Sequence, residues 1–110
     1  MTYISAEKHV YTLINVFTVA PERQDDLVNM LVETTEKLVK HIPGFVSASF
    51  HKSLDGTRVV NYAQWENKEA FERILQNPEV RARMGQAQQI GSSDAHFYTV
   101  PFVSTLDDNK

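Results

Sequence analysis

The order of six patterned segments constrains this chain more than any single motif. Val10 to Val19 reads VYTLINVFTV, a β-branched and aromatic run expected to form a strand. Ala20-Pro21-Glu22 opens a helix, since proline suits a first turn and Glu22, Asp25 and Asp26 face the positive end. Leu27, Met30, Leu31, Thr34 and Leu38 recur at helical spacing until Pro43-Gly44 stops the segment. Phe45 to Ser53 and Arg58 to Glu66 read as two further strands joined through Leu54-Asp55-Gly56. Asn67 caps a short helix carrying Ala70, Phe71, Ile74 and Leu75, and Asn77-Pro78 restarts the helix as far as Gly91. His96 to Val103 is the expected last strand, with Pro101 marking an edge position or a bulge.

Strand, helix, strand, strand, helix, strand is the order of an α+β ferredoxin-like fold, a split βαβ with an antiparallel sheet and both helices on one face. The 110 residues suit one domain, 10–105, between short tails at 1–9 and 106–110. The sheet's other face remains apolar through Val46, Ala48, Phe50, Val60 and Tyr62. That is too much to leave wet, so a homodimer is expected to form there.

Composition removes several function classes. A net charge of −3 without a Lys/Arg cluster gives no footprint for nucleic acid. The absence of cysteine removes disulfides, thiol catalysis and Cys-based metal sites. No apolar run approaches the ~20 residues of a membrane span, and the N-terminal residues lack a signal-peptide pattern, so a cytoplasmic protein with no membrane partner is expected.

The segment VVNYAQWEN poses the functional question, because Asn61 interrupts a strand-like run. Alternation puts Asn61 and Trp65 on one face, ~13 Å apart along the strand. A three-residue loop with left-handed Gly56 pairs Ser53 with Thr57, and so sets Ser49 opposite Asn61 and Ser47 opposite Ala63. One face then gathers His51, Ser49, Ser47, Asn61 and Trp65, with Asn15 projecting from the first strand. Convergent polar groups under the helices point to a cavity for a ligand or water.

The run PGFVSASFHKSLDGTRVVNYAQWENKEAF, Pro43 to Phe71, resembles the antibiotic biosynthesis monooxygenase family. Within that family it is most similar to the cofactor-independent, quinone-forming enzymes of aromatic polyketide pathways, while INVFTVAPERQDDLV resembles the wider family. The resemblance implies a dimeric α+β barrel with a pocket between sheet and helices. It also implies oxidation of a phenolic or anthrone-type polycycle by O₂, with no metal, flavin or haem as cofactor. Its implicated asparagine and tryptophan fall on Asn61 and Trp65, and its histidine before the turn on His51. Phe71 stands where such enzymes carry a tyrosine, and only the nearby Arg81 and Arg83 offer a counterpart to their helical arginine.

The chemistry is coherent for these residues. Triplet O₂ reacts slowly with closed-shell molecules until a deprotonated phenol or anthrone supplies an electron. Asn61 and Trp65 are donors for that oxyanion, His51 is a candidate base, and Asn15, Ser47, Ser49 and Phe71 are candidate substrate contacts. Each also has a structural reading: Trp65 as core, Asn61 as a satisfied buried amide, and His51 as a residue beside a turn. Competing functions are a quinol monooxygenase of general metabolism, a non-catalytic barrel that binds an aromatic molecule, and a haem-degrading oxygenase. The last needs a histidine on the helix after the tryptophan, and Lys68 to Gln89 contains none.

Overall fold

The computed structural model describes residues 10–106. The expected tails, and His9, lie outside these residues except for Leu106. The elements run β1 (Tyr11–Val19), a 3-10 turn (Pro21–Arg23), α1 (Gln24–Lys37), a second 3-10 turn (Val39–His41), β2 (Phe45–Lys52), β3 (Arg58–Trp65), α2 (Lys68–Gln76), α3 (Pro78–Ile90) and β4 (Gly91–Tyr98). The sheet order is β2-β3-β1-β4, every neighbouring pair antiparallel, which is the ferredoxin-like topology. No helix among the described residues is long and apolar enough to cross a membrane.

Local chemistry sets the joints. Asn67 Oδ1 accepts the Ala70 N–H at 2.8 Å and starts α2. Asn77 Oδ1 accepts from Glu79 and Val80, so one amide starts α3 directly after α2 ends, with Pro78 in the first turn. Gly44 holds φ at +94°, and a β-carbon there would collide with the Ala70 side chain. That close approach brings the start of β2 against α2 and sets Phe45 beside Trp65.

Two expectations need correction. The β2–β3 hairpin has a four-residue turn, Leu54 to Thr57, not a three-residue one, so His51 pairs with Val60 and Phe50 with Asn61. Ser53 Oγ accepts the Arg58 N–H at 2.8 Å, and Asp55 Oδ1 takes the Ser53 hydroxyl together with the Thr57 hydroxyl and N–H. These bonds favour the longer turn, while Gly56 keeps its expected positive φ of 80°. A bulge at Val46 then restores Phe45 opposite Trp65. The one-residue shift sends Ser47, Ser49 and His51 to the open face and brings Ala48 and Phe50 under the helices.

The last strand is displaced too. It starts at Gly91, directly after α3, and Pro101 lies beyond its end. Among the described residues β4 pairs only with β1, and it is exposed from Ser92 to Tyr98, with only Ala95 and Phe97 turned beneath the helices, so its sequence carries little apolar alternation.

The core between sheet and helices is divided. One cluster gathers Leu13, Ala63, Trp65, Ala70, Ile74 and Val80; a second gathers Phe17, Val19, Leu27, Val59 and Ala87. The row of the sheet between them holds Asn15 and Asn61, which are direct cross-strand partners. An apolar side chain packed there would strip these amides of solvent without replacing their hydrogen bonds. Space remains there instead.

Candidate active site

That space is a cavity of about 230 Å³ between the sheet and the helices. Its floor is a grid of side chains. One row reads Phe50, Asn61, Asn15 and Ala95; the next reads Ala48, Ala63, Leu13 and Phe97. Leu31, Thr34 and Thr35 of α1, and Met84, Ala87 and Gln88 of α3, form the roof. An ion pair joins the two helices above it, with Arg83 donating to Glu33 at 2.9 Å while Lys37 donates to the other Glu33 oxygen at 3.3 Å. The Lys37 hydrogen bond, and after it that from Arg83, hold the Glu33 carboxyl below its usual range.

Aromatic rings close one end. Trp65, only 2% exposed, meets Phe45 and Phe71 edge-on at centroid distances of 5.3 and 6.1 Å. Phe71 in turn meets Phe97 at 5.0 Å, and Phe97 stacks on Tyr11 at 4.5 Å.

Polarity is concentrated in the amide pair. The side-chain oxygens of Asn15 and Asn61 are buried and have no hydrogen-bond partner among the described residues. A buried polar atom left so costs about 1–3 kcal/mol, and each carboxamide has both donor and acceptor atoms to offer a ligand. Thr12 Oγ1 is also buried and unpartnered, but it lies on the opposite face of β1. None of the described residues lining the cavity is ionisable.

The structure therefore brings Asn15, Asn61, Trp65 and Phe71 together and separates them from His51, Ser47 and Ser49. His51 is exposed, with Nε2 3.0 Å from Ser49 Oγ, and Ser47 donates to Gln64 at 2.8 Å. These three do not face the cavity, because the longer turn reverses the sides of β2. Sequence reasoning missed Phe50, Ala95, Phe97 and the two threonines of α1. Phe50 was assigned to the wrong face, and Ala95 and Phe97 belong to a strand whose register the pattern did not reveal.

Fold and cavity together define an α+β domain with a largely apolar cavity beneath its helices. The sequence profile of the antibiotic biosynthesis monooxygenase family matches residues 10–86, and the chain belongs to that family. It is a monooxygenase by that membership, in keeping with its relatives. It is 44% identical over 90 residues to the tetracenomycin-F1 monooxygenase of Streptomyces glaucescens, spanning 82% of this chain and 80% of that one. Its structure is similar to the monooxygenase from the gene ActVA-Orf6 of Streptomyces coelicolor, solved in complex with nanaomycin D, with a TM-score of 0.79 and 30% identity over 90% of this chain and 93% of that one. SnoaB of Streptomyces nogalater, a cofactor-independent oxygenase, shares the fold with a TM-score of 0.75 at 24% identity, over 90% of this chain and 98% of that one.

Proposed function

We propose that this protein oxidises a phenolic or anthrone-type aromatic polyketide to a quinone with O₂, without a metal, flavin or haem. The observation that carries the reading is the cross-strand pair Asn15 and Asn61, two carboxamides that line a largely apolar cavity and whose buried oxygens have no partner among the described residues. The 44% identity to a tetracenomycin-F1 monooxygenase, and the likeness to a monooxygenase that holds nanaomycin D, support a polycyclic substrate.

In this reading the apolar rings lie over Ala63 and Leu13 toward Trp65 and Phe71, and the oxygen-bearing edge meets the amides. Their N–H groups stabilise the phenolate or enolate, and donors of this kind are worth roughly 3–4 kcal/mol where water is excluded. Trp65 bounds the aromatic end and offers its indole N–H. The described residues of the cavity wall supply no base, so the substrate's own acidity and water at the cavity mouth account for the proton. The anion passes one electron to O₂, and the resulting radical and superoxide join through a new C–O bond as a hydroperoxide. Loss of water breaks the O–O bond: a CH₂ group becomes C=O, one oxygen atom stays in the quinone and the other leaves in water.

Two copies pack through the open sheet face in the same proposal. That face is apolar through Ile14, Val16, Val60 and Tyr62, all half-buried, in place of the Ala48 and Phe50 expected there.

The test is O₂ uptake by chelator-treated protein with a simple anthrone. Uptake with quinone formation that is largely lost in Asn61→Ala supports the reading, and equal turnover in the variant refutes the role given to the amide.

A further inference from the structure

Among the described residues that line the cavity, Gln88, Ala95 and Phe97 alone are exposed, the first on α3 and the other two on β4. Ala95 sits directly beside Asn15 in the sheet, so the smallest side chain of that row separates the amide pair from the edge. Phe97 is 43% exposed and, with Tyr11, forms the outer rim of the aromatic cluster. Among the described residues Gln88 reaches only Ser93 Oγ, at 3.5 Å, a long bond that leaves its amide available to a ligand. Among the described residues, β4 has no neighbour on its outer side.

We propose that the polycyclic substrate enters and leaves edge-first between α3 and β4, across Ala95, with Phe97 as the ring that limits the passage. This rests on the reading of the cavity as an aromatic-binding site. Ala95 is small because a larger side chain there would stand in the path to Asn15. The Phe97 ring, held by stacking and edge contacts and not enclosed by the core, is free on its solvent side to turn aside. Gln88 then meets whatever polar substituent trails at the mouth, which favours substrates that carry a hydrogen-bonding group at the end remote from the aromatic box.

The test measures binding kinetics in the absence of O₂, where no turnover occurs. Trp65 is the chain's only tryptophan and lies in the cavity wall, so quenching of its emission by a tricyclic anthrone reports occupancy in a stopped-flow experiment. A side chain that only narrows a passage raises the barrier to entry and exit alike and leaves Kd unchanged. One that spoils the bound fit raises Kd, chiefly through faster dissociation. Ala95→Leu is expected to slow association and dissociation together by about tenfold, and Phe97→Ala to speed both. Ala82→Leu, on the exposed side of α3 away from the cavity, is expected to change neither. Unchanged association in Ala95→Leu, or a change confined to dissociation, overturns the passage while leaving the aromatic site intact. No quenching in the wild type overturns the aromatic site and the passage with it. Thermal unfolding checks that each variant is folded, and if Ala95→Leu is not, the rates of Phe97→Ala decide alone.

Discussion

Asn15 and Asn61 face each other across β1 and β3 beside the cavity between two apolar clusters, and the buried side-chain oxygen of each has no partner among the described residues. Folding gains nothing from this arrangement, so replacing the pair separates stability from activity. Asn61→Ala is expected to lower kcat by about 10²- to 10³-fold, the usual loss for one oxyanion donor. The double variant Asn15→Leu/Asn61→Leu removes two unsatisfied amides and fills space, and is expected to raise stability by about 1–3 kcal/mol while abolishing turnover. Urea unfolding beside O₂ uptake checks both; a double variant less stable than wild type would show that the amides hold the fold together.

The placement of His51 makes a second prediction. A base within the cavity would print its own ionisation on the rate, but His51 is exposed on the opposite face of the sheet, beside Ser49. His51→Ala is expected to leave kcat/KM within about twofold at every pH, since an exposed side chain remote from the reacting atoms changes little. The rate should instead rise with pH along the ionisation of the substrate. Two anthrones of different acidity separate the cases, because a profile that keeps its midpoint with both belongs to the protein.

Much of this architecture was legible in the sequence. The alternation of Val10 to Val19, the helical stripe from Leu27, and the caps at Asn67 and Asn77 carry local signals strong enough to order the elements. The register of β2 was not. Counting polar residues on each face favoured a three-residue turn, because that choice gathered His51, Ser49 and Ser47 beside Asn61. The hydrogen bonds of Asp55 and Ser53 stabilise a four-residue turn instead, and such pairing depends on side-chain geometry that a hydropathy pattern does not record. Asn61, Asn15, Trp65 and Phe71 kept their places because their faces follow from β1, β3 and α2 alone. β4 escapes the pattern for a related reason: an edge strand with only Ala95 and Phe97 turned to the cavity carries too short a hydrophobic period to read.

The same turn gives a pH prediction. Hydrogen bonds from the Thr57 hydroxyl, the Thr57 N–H and the Ser53 hydroxyl lower the Asp55 carboxyl from 3.8 to about 2. A folded value below the unfolded one means that the ionised form stabilises the native state. That contribution is complete above about pH 4 and is lost as pH falls toward 2. Asp55→Asn is therefore expected to be less stable than wild type at pH 6, with the gap closing as both are acidified. Urea midpoints at pH 6, 4 and 2.5 test this, and a gap that stays constant across the range would mean that the carboxylate's charge contributes nothing.

The open face of the sheet sets the last prediction. Ile14, Val16, Val60 and Tyr62 form a half-buried apolar surface, with Thr12 and Gln64 buried at one end. Packing a second copy there removes that surface from water, whereas a carboxylate at its centre would have to be desolvated at a cost of several kcal/mol per ion. The wild-type protein is expected to be a dimer at micromolar concentration, and Tyr62→Glu a monomer that retains the fold. Light scattering gives the masses. A monomeric wild type would remove the interface, while a Tyr62→Glu variant that remains dimeric would move the contact to another surface. In the second case the free edge of β4 becomes the next surface to test, and an interface there would cover Ala95 and Phe97 and close the passage proposed between α3 and β4.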